Sequence, residues 1–435
     1  MRMVWNPNLL KKLHYPYPNN MPHFKTKYLQ LPTLPLEVSH ETGEFAFLEF
    51  LISKNNPSFG LLHTRFTPKS QKTQDFFLEI KNIESNNTET LVRFDKYSRI
   101  APIEIIKTAL SILMDLQDSI TTHNLNPSNI SSEYKLPFIK EINAFLDFHN
   151  LFNQKCAESQ RQFKEIWLEI GFGSGRHLLY NAQNYPEILH IGLEIHHPSL
   201  EQVARQIGLQ HLNNILILAY DARIFLELLP SNVLDKIFVH FPVPWDKKPH
   251  RRIFSQAFLA QCARVLKQNG LLQLRTDSLE YFNFANNLAQ DLANDFKVES
   301  QINAQETITS KYEARWLRAN KDIFNLELYA QQTSKEQNLD FTFDFCNHSF
   351  NPMYFKRIKC VKNGYFLHTE DLFIGEKTSA MRISFGDFNY PETRYILQQE
   401  KGLHYFRNNP LPTHSNHKAH NLLVEVIAHD FKGKQ

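Results

Sequence analysis

The sequence predicts a doubly wound α/β domain flanked on both sides by β-rich segments. Three observations carry that expectation. Between residues 135 and 330, apolar runs of strand length alternate with amphipathic stretches of helix length, the pattern of βαβ units on a parallel sheet. On either side of that region, short aromatic and β-branched runs follow one another with polar turns between them. The first central run ends in Gly171, Gly173 and Gly175, a dense cluster for a chain with 13 glycines in 435 residues.

With 42% hydrophobic and 21% charged residues, the composition is that of a folded soluble protein and excludes a disordered or fibrous chain. A net charge of +3, from 48 Lys and Arg against 45 Asp and Glu, provides no large single-sign field, so recognition of an acidic polymer must be local. The four cysteines form no Cys-x-x-Cys pair, which suits free thiols in a reducing compartment. No apolar run approaches the roughly 20 residues of a membrane span, and the first residues lack a signal-peptide core. The expected location is the cytoplasm, with no membrane partner.

Along the chain, strands are expected at residues 45–53, 60–66, 76–83 and 89–94, and a helix at 103–118 with Ile105, Ile106, Ala109, Leu110 and Leu113 on one face. The polar stretch 119–134 reads as a linker. The expected organisation is an N-terminal extension over 1–123, a linker over 124–134, the α/β domain over 135–330 and a C-terminal extension over 331–435. Within the α/β domain, strands are expected at 166–170, 188–193, 215–219, 236–241, 271–274 and 323–329. Helices are expected at 177–184, 198–207, 253–266 and 279–292, the third of them stopped by Gly270. C-terminal strands are expected at 341–345, 365–368, 380–385, 395–398 and 422–427.

The segment Ile166-Trp167-Leu168-Glu169-Ile170-Gly171-Phe172-Gly173-Ser174-Gly175-Arg176 runs from a buried strand through Gly-x-Gly-x-Gly into a helix. Glycines there allow a sharp turn and close approach to a ligand, and the helix start offers free N–H groups. A dinucleotide fingerprint would need Gly or Ala at position 176, where Arg176 stands. The same spacing suits S-adenosylmethionine, which has no pyrophosphate and is held by carboxylates at successive strand ends. Glu169 is placed to meet the methionyl ammonium, Glu194 the ribose hydroxyls, and Asp221 the adenine edge. Taken singly, each acid is as readily a solvated strand end or a helix cap.

Beyond the fourth strand, Phe241-Pro242-Val243-Pro244-Trp245-Asp246-Lys247 precedes Arg251-Arg252. Two prolines force an irregular backbone over the carboxyl edge of the sheet, where open α/β sheets bind their substrates. Trp245 can stack on a base, and the basic cluster can meet phosphates.

These residues resemble the bacterial tRNA (guanine-N7)-methyltransferase family, a class I, Rossmann-like, S-adenosylmethionine-dependent group. The resemblance rests on Leu168–Gly175, on Gly192-Leu193-Glu194-Ile195-His196, on the Phe-Pro-x-Pro-Trp-x-Lys loop with Arg251-Arg252, on Thr276-Asp277, and on Ser310-Lys311-Tyr312-Glu313. It covers residues 135–330. It implies methyl transfer from S-adenosylmethionine to N7 of a guanine in the tRNA variable loop. Carried over by position, Glu169, Gly171, Gly173, Gly175, Glu194 and Asp221 would bind the cofactor. Lys247, Asp277, Ser310, Lys311, Tyr312 and Glu313 would bind the RNA. The family acid between the two loop prolines is Val243 here, so Asp277 and Asp246 become the candidate catalytic carboxylates. Two alternatives stay open: another RNA as acceptor, or a non-catalytic RNA-binding subunit that retains a nucleotide fold. Adjacent His196 and His197 lack metal-ligand spacing, so no metal is expected.

Overall fold

The computed structural model describes residues 21–431 apart from 70–72, 84–88, 99, 101, 126–137, 141, 147–162, 306–307 and 309–320. It divides into two units, one formed by Met1–Asn129 with Asp340–Gln435 and the other by Ile130–Leu339.

The N-terminal chain forms β1 (His23–Thr26), β2 (Leu36–His40), β3 (Gly43–Ser53), β4 (Phe59–Pro68), β5 (Gln74–Ile83), β6 (Glu89–Phe94), α1 (Ile103–Asp115) and β7 (Ile120–His123). The strands pair antiparallel in the order β3-β4-β5-β6-β1-β7, with β2 on β3. Period-two alternation places Phe45, Phe47, Leu62, Leu78 and Val92 in one apolar cluster with the buried face of α1. Residues 120–123, expected within a linker, are instead a strand. The run Ile120-Thr121-Thr122 is β-branched, and its backbone pairs with β1.

The central unit contains β8 (Glu165–Ile170), α2 (Arg176–Asn184), β9 (Ile188–Leu193), α3 (His197–Leu209), β10 (Ile215–Leu218), α4 (Ala222–Leu228), β11 (Leu234–His240), α5 (Gln256–Val265), β12 (Leu266–Thr276), α6 (Leu279–Gln290), β13 (Phe296–Ile302) and β14 (Phe324–Ala330). The sheet order is β10-β9-β8-β11-β12-β14-β13. The strands from β10 to β12 are parallel, and β14 runs antiparallel between β12 and β13. Order reverses between β8 and β11, so their carboxyl ends open the crevice in which such sheets hold ligands. Serine caps start two of the helices: Ser255 Oγ accepts from the Phe258 N–H at 3.2 Å, and Ser278 Oγ from the Tyr281 N–H at 3.2 Å. Each cap stabilises its helix by about 1 kcal/mol. Gly270 does not stop α5. The helix ends at Val265, and Gly270 lies in a bulge of β12, where a Cβ would come 2.8 Å from the Lys267 carbonyl oxygen.

The C-terminal chain adds β15 (Lys359–Lys362), β16 (Tyr365–Ile374), β17 (Ser379–Gly386), β18 (Glu392–Gln399), β19 (Gly402–Tyr405) and α7 (His414–Asp430). Two sequence expectations fail here. Residues 341–345 form no strand; Phe343 and Phe345 bury their rings in the cluster beneath α7. Residues 422–427 lie inside α7, whose buried Asn416, Ala419, His420, Leu423, Val426 and Ile427 follow the helical period. The apolar run from Leu422 hides that period when it is read alone.

The two extensions, taken separately from the sequence, share one 12-stranded sheet, because β16 pairs with β3 through Phe373↔Ser53 and Ile374↔Ile52. Side chains reinforce the join. The Ser53 hydroxyl donates to Asp371 at 2.8 Å, and the Tyr395 hydroxyl donates to Asp95 at 3.0 Å. No helix among the described residues is long and apolar enough to cross a membrane.

Candidate functional site

The site begins where β8, buried from Ile166 to Ile170, turns into α2. Gly171, Gly173 and Gly175 all take left-handed φ values, 73°, 53° and 69°. A Cβ on Gly171 would meet nothing within 4 Å, and one on Gly173 only the Gly171 carbonyl at 4.0 Å, so this backbone faces open space that a ligand can fill. A Cβ on Gly175 would instead lie 2.4 Å from Val203 of α3. The third glycine therefore supplies the close helix approach, which explains why Arg176 is tolerated next to it.

The carboxyl ends of β9 and β10 contribute the acids. Glu194 Oε2 accepts from the Gly173 N–H at 2.9 Å and its Oε1 from the His196 N–H at 2.9 Å, fixing the carboxylate against the glycine turn. Asp221 caps α4, accepting from the Arg223 N–H at 2.9 Å, and pairs with the Arg223 guanidinium at 2.7 Å. Gly171, Glu194, Asp221, Arg223, Arg251 and Ile253 line a cavity of about 170 Å³. Glu169 is oriented otherwise. Its buried carboxylate turns onto α2 and accepts from His177 Nδ1 at 2.8 Å. The His177 ring packs edge-on against His240 at 4.6 Å, and His240 Nε2 lies 2.9 Å from Gln273 Oε1. Burial holds His240 well below the usual imidazole range and His190 down at about 4, so both are neutral at pH 7.

The proline loop leaves β11 with Phe241 and Trp245 at φ 50° and 48°. Val243 is 61% exposed, Asp246 and Lys247 are exposed, and the Arg251 guanidinium lies 5.0 Å from the Trp245 ring centre. Arg252 departs from the expectation of a phosphate-facing cluster. Its side chain is only 2% exposed; it donates to the Pro244 carbonyl at 2.7 Å and to Glu280 at 2.8 Å, and it packs on Tyr281 and Phe284. It anchors the loop. Asp277, at the end of β12, is half-buried and pairs with Lys321 at 3.2 Å. Ser310, Lys311, Tyr312 and Glu313 lie outside the described residues. Among the described residues, no group of three or more His, Cys, Asp or Glu could hold a metal.

Residues 164–326 match the family described as "Putative methyltransferase". Over 417 residues, 94% of this chain and 100% of the relative, the chain is 41% identical to the tRNA (guanine-N(7)-)-methyltransferase of Wolinella succinogenes. The protein of the same name from Helicobacter hepaticus is 36% identical over 423 residues, 94% of this chain and all of its own length. The chain belongs to the tRNA (guanine-N7)-methyltransferase family. That likeness spans the flanking unit as well as the α/β unit. Among solved structures, the 16S rRNA methyltransferase KamB aligns at a TM-score of 0.33 and 18% identity, covering 42% of this chain and 93% of that one.

In this methyltransferase Gly171, Glu194 and Asp221 line one cavity, and Glu169 is paired with His177. Sequence reasoning missed His177, Arg223 and the anchoring role of Arg252. A polar residue one position into α2, on its sheet-facing side, was the available signal for His177.

Proposed function

We propose that this methyltransferase transfers the methyl group of S-adenosylmethionine to N7 of a guanine in the tRNA variable loop. The observation that carries the reading is Glu194, whose carboxylate is fixed by the Gly173 and His196 N–H groups beside two glycines that open onto empty space. That donor set fits the cofactor: the backbone of Gly171 and Gly173 accommodates its methionyl part, Glu194 accepts from ribose hydroxyls, and the Asp221 rim borders the adenine. Glu169 supports this turn from behind. When bound, S-adenosylmethionine supplies an electrophilic methyl group.

Guanine N7 carries an in-plane lone pair and no proton, so the chain needs no general base. Its task is to align the base, a proximity effect on the order of several kcal/mol. Asp277 and Asp246 supply negative charge where the purine becomes cationic and accept from guanine N1–H and the 2-amino group. This assigns to them the place that Val243 leaves empty. Trp245 stacks on a base, and Lys247, with Ser310, Lys311, Tyr312 and Glu313, holds the RNA. Incubation with a tRNA transcript and radiolabelled cofactor, followed by mapping of the modified nucleotide, tests the reading. A label at a variable-loop guanine N7 supports it, and a label elsewhere or none rejects it.

A further inference from the structure

The flanking unit carries a cavity of its own, about 490 Å³, bounded by the ends of β1, β3, β4, β5 and β6. Its apolar lining of Leu29, Leu31, Phe50 and Ile80 belongs to the cluster that also contains Phe24, Leu78 and the buried face of α1. This volume lies within the usual range for a small ligand. Tyr28 stands at the rim with 74% of its surface exposed, and Phe59 forms part of the wall. Lys27 and Glu89 are the residues next to Thr26 and Thr90, the last pair of the β1–β6 ladder, and both line the cavity. Asn82 uses its Oδ1 to accept from Thr90 at 3.0 Å, which leaves its amide hydrogens to the cavity alongside the Ser58 hydroxyl.

We propose that this groove binds one unpaired purine nucleotide of the RNA substrate, guanine in preference to adenine; the assignment rests on the tRNA reading above. Each part of such a ligand has a counterpart. An exposed aromatic ring stacks on a base whatever its identity. The Glu89 carboxylate matches the N1–H and 2-amino donors of guanine, which adenine lacks, and the Asn82 amide and Ser58 hydroxyl match the O6 and N7 acceptors. Lys27 meets a phosphate. A purely apolar ligand would cover Lys27 and Glu89 and offer neither a polar partner, which disfavours it.

The full-length protein and its Y28A and E89Q variants are compared for tRNA binding by filter retention, for binding of guanosine and adenosine monophosphate, and for methyl transfer. Y28A is expected to weaken tRNA binding about tenfold, the scale of one base stack. E89Q is expected to remove a preference for guanosine over adenosine monophosphate, and both variants to keep the wild-type kcat and cofactor affinity. Unchanged tRNA binding in both variants overturns the proposal, whether or not a free mononucleotide binds. Wild-type protein that binds tRNA without methylating it would instead reject the functional reading and leave the groove comparison readable.

Discussion

His177 Nδ1 lies 2.8 Å from Glu169 Oε2, joining the first turn of α2 to the strand that precedes the glycine turn. Both side chains are nearly excluded from solvent, 11% and 6% exposed, so the carboxylate depends on this partner. His177→Ala should cost about 1.5–3 kcal/mol, the scale of a lost hydrogen bond to a charged group. It should also raise KM for the cofactor more than it lowers kcat, because the turn loses its backing. Thermal unfolding with steady-state kinetics checks this; a variant with wild-type KM would remove His177 from the positioning of the site. His177→Gln, which can still donate, should recover part of the loss.

Gly175 offers a steric test of the same turn. Alanine there combines a φ of 69° with a Cβ 2.4 Å from Val203. The left-handed conformation alone costs about 1–2 kcal/mol, and the clash adds to it. Gly175→Ala should therefore lower both stability and cofactor affinity. Val203→Ala in the same chain should restore part of the stability but not the share due to backbone conformation. Complete restoration in a double-mutant comparison would show that packing alone selects glycine.

Arg252 and Lys247 occupy one loop but should respond differently. Arg252→Ala removes the donor to Pro244 and Glu280, so kcat/KM for tRNA should fall more than tenfold with little change in the salt dependence of tRNA binding. Lys247→Ala removes an exposed charge and should lower the slope of log K against log salt by about 1. Binding titrations at several ionic strengths separate the two. A reduced slope for Arg252→Ala would mean that this buried guanidinium meets phosphate after all.

Asp277→Ala should lower kcat strongly while leaving cofactor affinity within about twofold, since its assigned partners are the base and its developing charge. Equal losses in turnover and cofactor binding would reassign it to the cofactor pocket.

The flanking unit should lose stability as pH rises through neutrality. Burial, reinforced by the nearby Glu79 charge, pushes Asp95 up to about 7 from the usual carboxylate value near 3.8. A folded-state pKa above the unfolded one favours folding fully below about pH 4, and the contribution is lost as pH rises through 7. The melting temperature of this unit should therefore fall between pH 5 and 8, and Asp95→Asn should flatten that dependence. An identical pH profile in the variant would place the effect in another group.

Within the α/β unit, sequence periodicity located β8, α2, β9, α3, β10, β11 and α6 to within a few residues, because each buries a face repeated in its own local pattern. Fully buried β9 and amphipathic α3 were legible for that reason. The glycine turn and the positions of Glu169, Glu194 and Asp221 near strand ends were legible because spacing along the chain is itself a local property. Residues 422–427 were misread as strand because an apolar run satisfies both periods over so short a window. Short β1 and β7 were missed because their stability comes from pairing with partners elsewhere in the chain.

Sequence alone therefore determined the α/β alternation, the turn and the chemistry available at its edge. Tertiary structure decided which way those groups face. Glu169 turns back to His177, Arg252 is buried under the loop it accompanies, and Gly175 rather than residue 176 receives the neighbouring helix. It also decided that Ser53 meets Asp371, 318 residues away, so that two separate-looking extensions share one sheet. Backbone periodicity records which face of an element is apolar, but the partner that covers that face is chosen by packing and register across the whole chain.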